Sequence, residues 1–178
     1  MSDFERIYKL VMLGDEAVGK TSLILQHTEH RFAESYKMTI GTDISAKVVE
    51  TGAKGAKTKT KVYLIIWDIG GQEKYRILRE SYLRGASGGL LVFDLTNKAS
   101  FNHVLDWAEE VEKFVGSKIP MVLLGNKEDL SSKRVVTKED GEKLAGDLEI
   151  EYLETSAKSS KNVDVSFDKI VKLILKKS

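Results

Sequence analysis

The residues best suited to chemistry are a glycine-rich turn, a lysine and a hydroxyl at residues 14–21, where the sequence reads GDEAVGKT. An apolar run at residues 7–13 precedes it and residues 23–25 can continue as a helix, so we expect strand, turn and helix. There the glycines let successive N–H groups and the helix N-terminus converge on phosphate oxygens. Lys20 would reach the β and γ phosphates of a nucleotide, and Thr21 a metal ion. The alternative is a chance match, which the flanking elements argue against.

Two further segments carry groups suited to a metal ion and to water. Trp67 is predicted to end a strand, and DIGGQE at residues 68–73 follows at its carboxyl end. A carboxylate followed by two glycines suits a second metal-side group there, although DIGG alone could form a simple turn. Residues 28–41 lack periodicity, as a mobile loop would, and hold Phe32, Tyr36 and Thr39.

The loops GNKED at residues 125–129 and ETSAK at residues 154–158 indicate which base is bound. The Asp129 carboxylate can accept two parallel hydrogen bonds from the ring N–H and exocyclic amine of guanine, donors that adenine does not present together. Asn126 can brace the loop and contact the other edge of the base, and the N–H of Ala157 can donate to the guanine oxygen. Two lysines have apolar stems able to cover the faces of the ring: Lys127 and Lys158.

The elements between these loops predict an α/β fold. Periodicity indicates six strands and five helices, with one hairpin between the second and third strands. We expect a mostly parallel sheet with one antiparallel pair and helices on both faces, formed by residues 1–178 as a single domain. One helix is predicted to open at Ser100, and Thr137 with Asp140 forms a capping box for another that runs through Leu148. The loops described above border the carboxyl edge of the sheet, where such sheets bind ligands.

Composition and charge exclude several classes of protein. The 28 Lys and Arg nearly balance the 27 Asp and Glu, which gives no overall charge for binding nucleic acid. The lysine-rich hairpin at residues 51–59 is interpreted as a solvated tip, with an anion-binding patch as the alternative. The absence of cysteine excludes disulfides, thiol catalysis and lipid attachment through cysteine. No apolar run has the length of a membrane helix, and we expect a cytoplasmic protein.

Taken together, GDEAVGKT, TIGTD with Thr39, WDIGGQE, NKED and ETSAK resemble the five motifs of the Ras-like small GTPases, in order and over essentially the whole chain. RGA at residues 84–86, FDLTNKASF at residues 93–101 and IGTD at residues 40–43 most resemble the Rab branch. The resemblance implies a P-loop NTPase fold, the Ras-like G domain, that binds GTP or GDP with Mg²⁺ and hydrolyses GTP. It also implies a Rab-like role in trafficking or signalling.

The resemblance assigns roles to single residues. Gln72 would position the attacking water, Gly71 would offer its N–H to the γ phosphate, and Lys20 would complete the catalytic group. Phe32 would lie against guanine. The implied metal ligands are Thr21, Thr39 and, through water, Asp68. The residues expected to contact nucleotide are Gly14, Asp15, Glu16, Ala17, Val18, Gly19, Lys20, Thr21, Ser22, Phe32, Tyr36, Thr39, Gly71, Asn126, Lys127, Asp129, Ser156, Ala157 and Lys158.

Such a site implies a switch with protein partners. Loss of the γ phosphate would release Thr39 and Gly71, so both segments should relax after hydrolysis. Effectors, an exchange factor and a GTPase-activating protein are expected to bind a monomer through the Thr39 and Gln72 segments. Lys37 is the only cation between Phe32 and Thr39, so no arginine is supplied in cis and intrinsic hydrolysis should be slow.

Three features depart from the family pattern. Glu16 stands where most relatives carry a small residue; it could slow hydrolysis, point away, or pair with a partner's arginine. Ile69 and Gly70 replace the usual Thr-Ala and look more like the Arf branch. The chain ends at Ser178 without a cysteine-bearing tail, so it is either trimmed or works without a prenyl group. Membrane contact then needs a lipid tail or adaptor outside this chain.

Three functions compete on this basis. The first is a GTP-hydrolysing switch, and the second is a GTP-loaded scaffold in which Glu16 has largely disabled hydrolysis. The third, an ATP-using P-loop enzyme, is disfavoured because no substrate-binding segment is visible and because Asp129 suits guanine.

Overall fold

The computed structural model describes residues 5–51 and 60–178. Within them, six strands form one sheet: β1 Glu5–Leu13, β2 Thr42–Thr51, β3 Thr60–Ile69, β4 Gly88–Asp94, β5 Met121–Asn126 and β6 Glu151–Glu154. Their order across the sheet is β2-β3-β1-β4-β5-β6. Only the β2 and β3 pair is antiparallel among these described strands. The predicted mostly parallel sheet with one hairpin is confirmed.

The helices lie between the strands in the order that the sequence predicts. They are α1 Lys20–Glu29, α2 Arg76–Leu83, α3 Lys98–Asn102, α4 Val104–Val115, α5 Lys138–Asp147 and α6 Val163–Lys177. Short 3₁₀ turns occupy Glu73–Tyr75 and Ser131–Lys133. Only His103 separates α3 from α4, so the two together correspond to the one helix predicted there, and the described residues contain the expected five.

Helices cover both faces of the sheet because successive residues of each strand point to opposite sides. One buried cluster, to which α1 and α6 contribute, includes Leu10, Met12, Leu23 and Phe167. The other, to which α2, α4 and α5 contribute, includes Val11, Leu13, Leu83, Val111 and Ala145. Alternate residues of β1 thus pack into different cores. Because β1 is held on both faces, the position of the phosphate loop at its carboxyl end is also fixed.

Two element boundaries differ from the prediction. β3 continues through Ile69, so Asp68 lies inside the strand rather than after it. α3 begins at Lys98 rather than at Ser100, because the side chain of Asn97 accepts hydrogen bonds from the first N–H groups of the helix and caps it. Asparagine is a preferred N-cap residue, so the sequence carried a local signal for this earlier start.

The predicted capping box of α5 is confirmed. The Thr137 hydroxyl accepts from the N–H of Asp140, and the Asp140 carboxylate accepts from the N–H of Thr137. Most of the lysine-rich hairpin tip falls at residues 52–59, outside the described residues. In the part of the chain that the structure describes, no helix is both long and apolar enough to cross a membrane.

Candidate nucleotide site

The loops at the carboxyl edge of the sheet enclose a cavity of about 800 Å³. Five separate segments contribute to its wall. The predicted site residues that line it are Glu16, Ala17, Gly19, Lys20, Thr21, Ser22, Phe32, Tyr36, Thr39, Gly71, Gln72, Asn126, Lys127, Asp129, Ala157 and Lys158. Groups far apart in the sequence therefore meet around a space large enough for a nucleotide.

The phosphate loop has a backbone conformation that suits an anion. Gly19 is the N-cap of α1 with φ of 101°, and Ala17 has φ of 64°. A Cβ on Gly19 would lie 2.3 Å from Nδ2 of Asn126, so the position requires glycine. Since glycine offers no side-chain cap, the first N–H groups of α1 are available to an anion at the positive end of the helix dipole.

Lys20 is buried within this loop, with 6% of its surface exposed. Its Nζ donates hydrogen bonds of 2.7 Å to the backbone oxygens of Gly14 and Asp15. Burial lowers the pKa of Lys20 to about 8, although the nearby carboxylates of Asp68 and Asp15 oppose the shift. A buried cation is costly unless it is paired. The loop therefore holds a lysine where bound phosphates would stabilise its charge.

Thr21, Thr39 and Asp68 meet at one point of the structure. Thr21 Oγ1 donates to Asp68 Oδ2 and lies 3.0 Å from Thr39 Oγ1, which is 3.4 Å from the same Asp68 oxygen. Burial raises the pKa of Asp68. Within the described residues its Oδ1 has no hydrogen-bond partner. Two hydroxyls beside a buried carboxylate oxygen fit Mg²⁺, which binds through few carboxylates together with water and phosphate oxygens.

Residues 5–51 and 60–178, which the structure describes, contain no group of three or more His, Cys, Asp or Glu side chains that could hold a metal ion. Mg²⁺ at the Thr21, Thr39 and Asp68 cluster would complete its coordination shell with water and phosphate oxygens. Metal binding and nucleotide binding are expected to be coupled for this reason.

Gly71 and Gln72 lie against the phosphate loop. A Cβ on Gly71 would lie 2.3 Å from the backbone nitrogen of Glu16, so this approach requires glycine. Glu16 Oε1 accepts a hydrogen bond of 2.9 Å from the Tyr36 hydroxyl. The pKa of the Glu16 carboxylate lies below its usual value, mainly because of the Gln72 side chain and to a lesser extent because of the Tyr36 hydroxyl. The Glu16 side chain therefore lies at the cavity and does not point away from it.

Hydrogen bonds brace the loops expected at the base. Asn126 Nδ2 donates to the backbone oxygen of Val18 at 3.0 Å, and its Oδ1 accepts from the Thr155 hydroxyl at 3.1 Å. The Ser156 hydroxyl donates to Asp129 Oδ1 at 2.7 Å. These contacts attach the NKED loop to the phosphate loop and fix one oxygen of the carboxylate predicted to read guanine.

Comparison with known proteins decides the family of the chain. A profile of the Ras family matches residues 9–176. The chain belongs to the Ras family. It is 41% identical over 174 residues to the Ras-related protein Rab-8B of Homo sapiens, an alignment that covers 98% of this chain and 81% of that protein. It is 39% identical over 175 residues to the Ras-related protein Rab-3 of Caenorhabditis elegans, covering 98% and 77% of the two chains. Over 165 residues it is 40% identical to the Ras-related protein RIC1 of Oryza sativa subsp. japonica, covering 93% and 79%.

These similarities place the chain in the Rab branch of the Ras family, as the sequence motifs predict. It is a small GTPase that binds GTP and GDP with Mg²⁺ and hydrolyses GTP, and it acts with effectors, exchange factors and GTPase-activating proteins. The cavity described above is the candidate location for that chemistry in this Ras-family chain.

Some of the predicted contact residues lie outside the cavity lining: Gly14, Asp15, Val18 and Ser156. The Asp15 carboxylate faces the start of α4: Trp107 Nε1 donates to it at 2.9 Å, and Nδ1 of His103, the residue before α4, lies 2.6 Å away. Asp15 raises the pKa of His103. Only the backbone of Asp15 contacts Lys20 at the site, so its side chain serves a different contact.

Two supporting residues are missing from the sequence-based assignment. Asp94, at the end of β4, forms an ion pair with Lys127, with 2.7 Å between Asp94 Oδ2 and Lys127 Nζ. The same Nζ donates to the backbone oxygen of Ala17 at 2.7 Å. The position of Asp94 at the end of an apolar strand could have identified it as a candidate site residue, because the same pattern identified Asp68. Thr155 lies in ETSAK, but its bond to Asn126 depends on the fold.

Proposed function

We propose that this Rab-branch GTPase acts as a guanine-nucleotide switch in trafficking or signalling, with the cavity residues in the roles predicted from the sequence. The proposal is carried by the grouping of phosphate-, metal- and base-directed side chains around one cavity. These are Lys20, Thr21, Thr39, Gln72, Asn126 and Asp129, with Asp68 behind Thr21 and Thr39.

The proposed chemistry is an in-line displacement by water on the γ phosphate. When bound, Mg²⁺ neutralises charge on the phosphate oxygens. Lys20 adds a fixed positive charge, the N–H of Gly71 donates to the γ phosphate, and the Gln72 amide orients the attacking water. Positioning and charge stabilisation carry the reaction, so no strong base and no covalent intermediate are required.

We infer that the Thr39 and Gln72 segments form the surface that partners read. The N–H of Gly70 donates to the backbone oxygen of Gly41 at 2.8 Å, which joins the two segments. Exposed apolar side chains flank this junction: Met38, Ile40, Ile77 and Leu78. Effectors, an exchange factor and an activating protein would bind here to a cytoplasmic monomer. A partner or a tail outside this chain would bring it to the cytosolic face of a membrane.

The Glu16→Ser variant is expected to hydrolyse GTP about tenfold faster than wild type in a single turnover. The Glu16 carboxylate accepts from the Tyr36 hydroxyl, and the nearby Gln72 side chain lowers its pKa, so we expect this carboxylate to compete with water for the Gln72 amide. Serine is too short to hold either group. Release of labelled phosphate from preloaded protein measures the rate.

The matched control is Glu139→Ser, which removes an exposed carboxylate from α5 and should leave the rate unchanged. Equal rates in wild type and Glu16→Ser would contradict the restraining role of Glu16. Intact GTP in both would contradict the hydrolysing switch and favour the scaffold. Fast multiple turnover by wild type alone would contradict slow intrinsic hydrolysis.

A further inference from the structure

Arg79 of α2 is a buried charged residue that links Gln72, at the start of the Glu73–Tyr75 turn, to α4. It is 2% exposed. Its Nη1 donates to both carboxylate oxygens of Glu110, at 2.9 and 3.1 Å, and its Nη2 donates to the backbone oxygen of Gln72 at 3.1 Å. The guanidinium carbon lies 4.1 Å from the centroid of the Trp107 ring. One side chain thus connects the turn that carries Gln72 to two residues of α4.

The same face of α4 also contacts the phosphate loop. Trp107, on which Arg79 stacks, donates from Nε1 to Asp15 Oδ1 at 2.9 Å, and His103 Nδ1 lies 2.6 Å from the other Asp15 oxygen. α4 therefore holds both the loop that faces the phosphates and the turn that carries the water-positioning candidate. The two are linked without passing through the nucleotide cavity.

Burying an arginine costs desolvation free energy, so a contribution to stability alone explains its presence poorly. Apolar residues of similar volume often stabilise a core as well as a buried ion pair does. In addition, Arg79 Nε has no hydrogen-bond partner within the described residues, which adds to the cost of removing the guanidinium from water. Its planar fork does provide donors in fixed directions, which suits a group whose task is orientation.

We propose that Arg79 is a positioning residue for GTP hydrolysis that acts through Gln72, and this inference rests on the proposed role of Gln72. The carbonyl of Gln72 accepts from the N–H of Tyr75 at 3.1 Å as well as from Arg79. Fixing this carbonyl fixes the Cα of Gln72, and hence the region that its amide can reach. Through Glu110 and Trp107, that region is held at a constant distance from the phosphate loop.

The test measures single-turnover GTP hydrolysis and GDP affinity in Arg79→Met, which keeps the volume and removes the guanidinium. We expect hydrolysis to slow about tenfold, because small displacements of a positioning group have effects of this size, while GDP affinity changes less than about twofold. In a Gln72→Leu background the same substitution should cause no further slowing, since a residue that acts through Gln72 has nothing left to position. A purely structural role would slow both backgrounds equally.

Two further variants keep the inference testable. Glu110→Gln removes one charge-assisted acceptor of Arg79 and should slow hydrolysis in the same direction if Arg79→Met does not fold. Arg84→Met, which removes an exposed arginine of the same region that pairs with Glu80, is the control and should leave the rate unchanged. Unchanged hydrolysis in folded Arg79→Met, or equal slowing in both backgrounds, would overturn the inference alone. If Gln72→Leu itself has no effect, the proposed function fails with it.

Discussion

Replacing Asp129 by asparagine is expected to weaken GTP binding about 100-fold, because two hydrogen bonds to a charged acceptor are lost or reversed. The carboxylate can accept from both the ring N–H and the exocyclic amine of guanine, whereas the asparagine amide must turn a donor toward one of them. The Ser156 hydroxyl, 2.7 Å from Asp129 Oδ1, keeps the side chain in one orientation and so limits relief by rotation. Fluorescent-nucleotide displacement measures the affinity.

The chemistry also predicts a gain for this variant. Xanthine carries an oxygen where guanine carries its amine, so an asparagine amide presents complementary groups to that edge. Asp129→Asn should therefore bind xanthosine triphosphate better than wild type does. Asp147→Asn, at the exposed end of α5, is the matched control and should retain GTP affinity. Equal loss of GTP affinity in both variants, or unchanged affinity in Asp129→Asn, would place the base elsewhere.

The Lys20→Met variant is expected to lose at least about 100-fold in GTP affinity and yet to be more stable than wild type without nucleotide. The loss follows from removing charge-assisted hydrogen bonds to the phosphates. The gain follows from burial, which lowers the pKa of Lys20 from 10.5 to about 8 in the nucleotide-free chain. A shift of this size corresponds to a destabilisation of roughly 3 kcal/mol while the lysine is charged.

The sign of the pH dependence follows from the two pKa values. Because the folded-state value is the lower one, the unfolded chain holds more protons between pH 8 and 10.5, so the stability of the wild type rises with pH over that interval. Chemical unfolding of nucleotide-free protein should show Lys20→Met as the more stable chain at about pH 7, with the gap narrowing above pH 8. Lys133→Met, on the exposed 3₁₀ turn, controls for the loss of a lysine. A variant that is destabilised throughout would contradict this explanation.

Glu16 and Arg79 act on different parts of Gln72. The Glu16 carboxylate lies near its side chain, which lowers the pKa of that carboxylate, and Arg79 donates to its backbone carbonyl. Removal of the first is expected to accelerate hydrolysis and removal of the second to slow it. These opposite effects on the hydrolysis rate distinguish Glu16, which restrains the Gln72 amide, from Arg79, which positions it.

Much of the fold and the composition of the site could be predicted because local signals carry them. Gly19, Lys20 and Thr21 stand at a fixed spacing after an apolar strand. Because strands alternate with helices, β1 and β4 are parallel, and the loops that follow them lie on one edge of the sheet. The Thr137 capping box is likewise a local pattern, and the structure confirms it.

The remaining features depend on contacts between distant segments. Arg79 lies on α2 and meets Glu110 of α4, and no periodicity encodes which way their side chains face. Asp15 lies in a motif that predicts phosphate contact, yet the packing of α4 gives its carboxylate to Trp107. The direction of Glu16 was equally open, because an exposed loop side chain takes the partner that the fold supplies. The Asn97 cap is different, because it is a local contact with the N–H groups of Ala99 and Ser100 that the sequence analysis did not assign.

The most direct test is single-turnover hydrolysis of labelled GTP by wild type and by Gln72→Leu, with GTP affinity measured on both. If the chain is a hydrolysing switch in which Gln72 orients water, wild type converts its bound GTP to GDP slowly and completely. The variant then binds GTP equally well but converts it at least about tenfold more slowly. Equal rates in the two proteins, or GTP that stays intact on wild type, would contradict this.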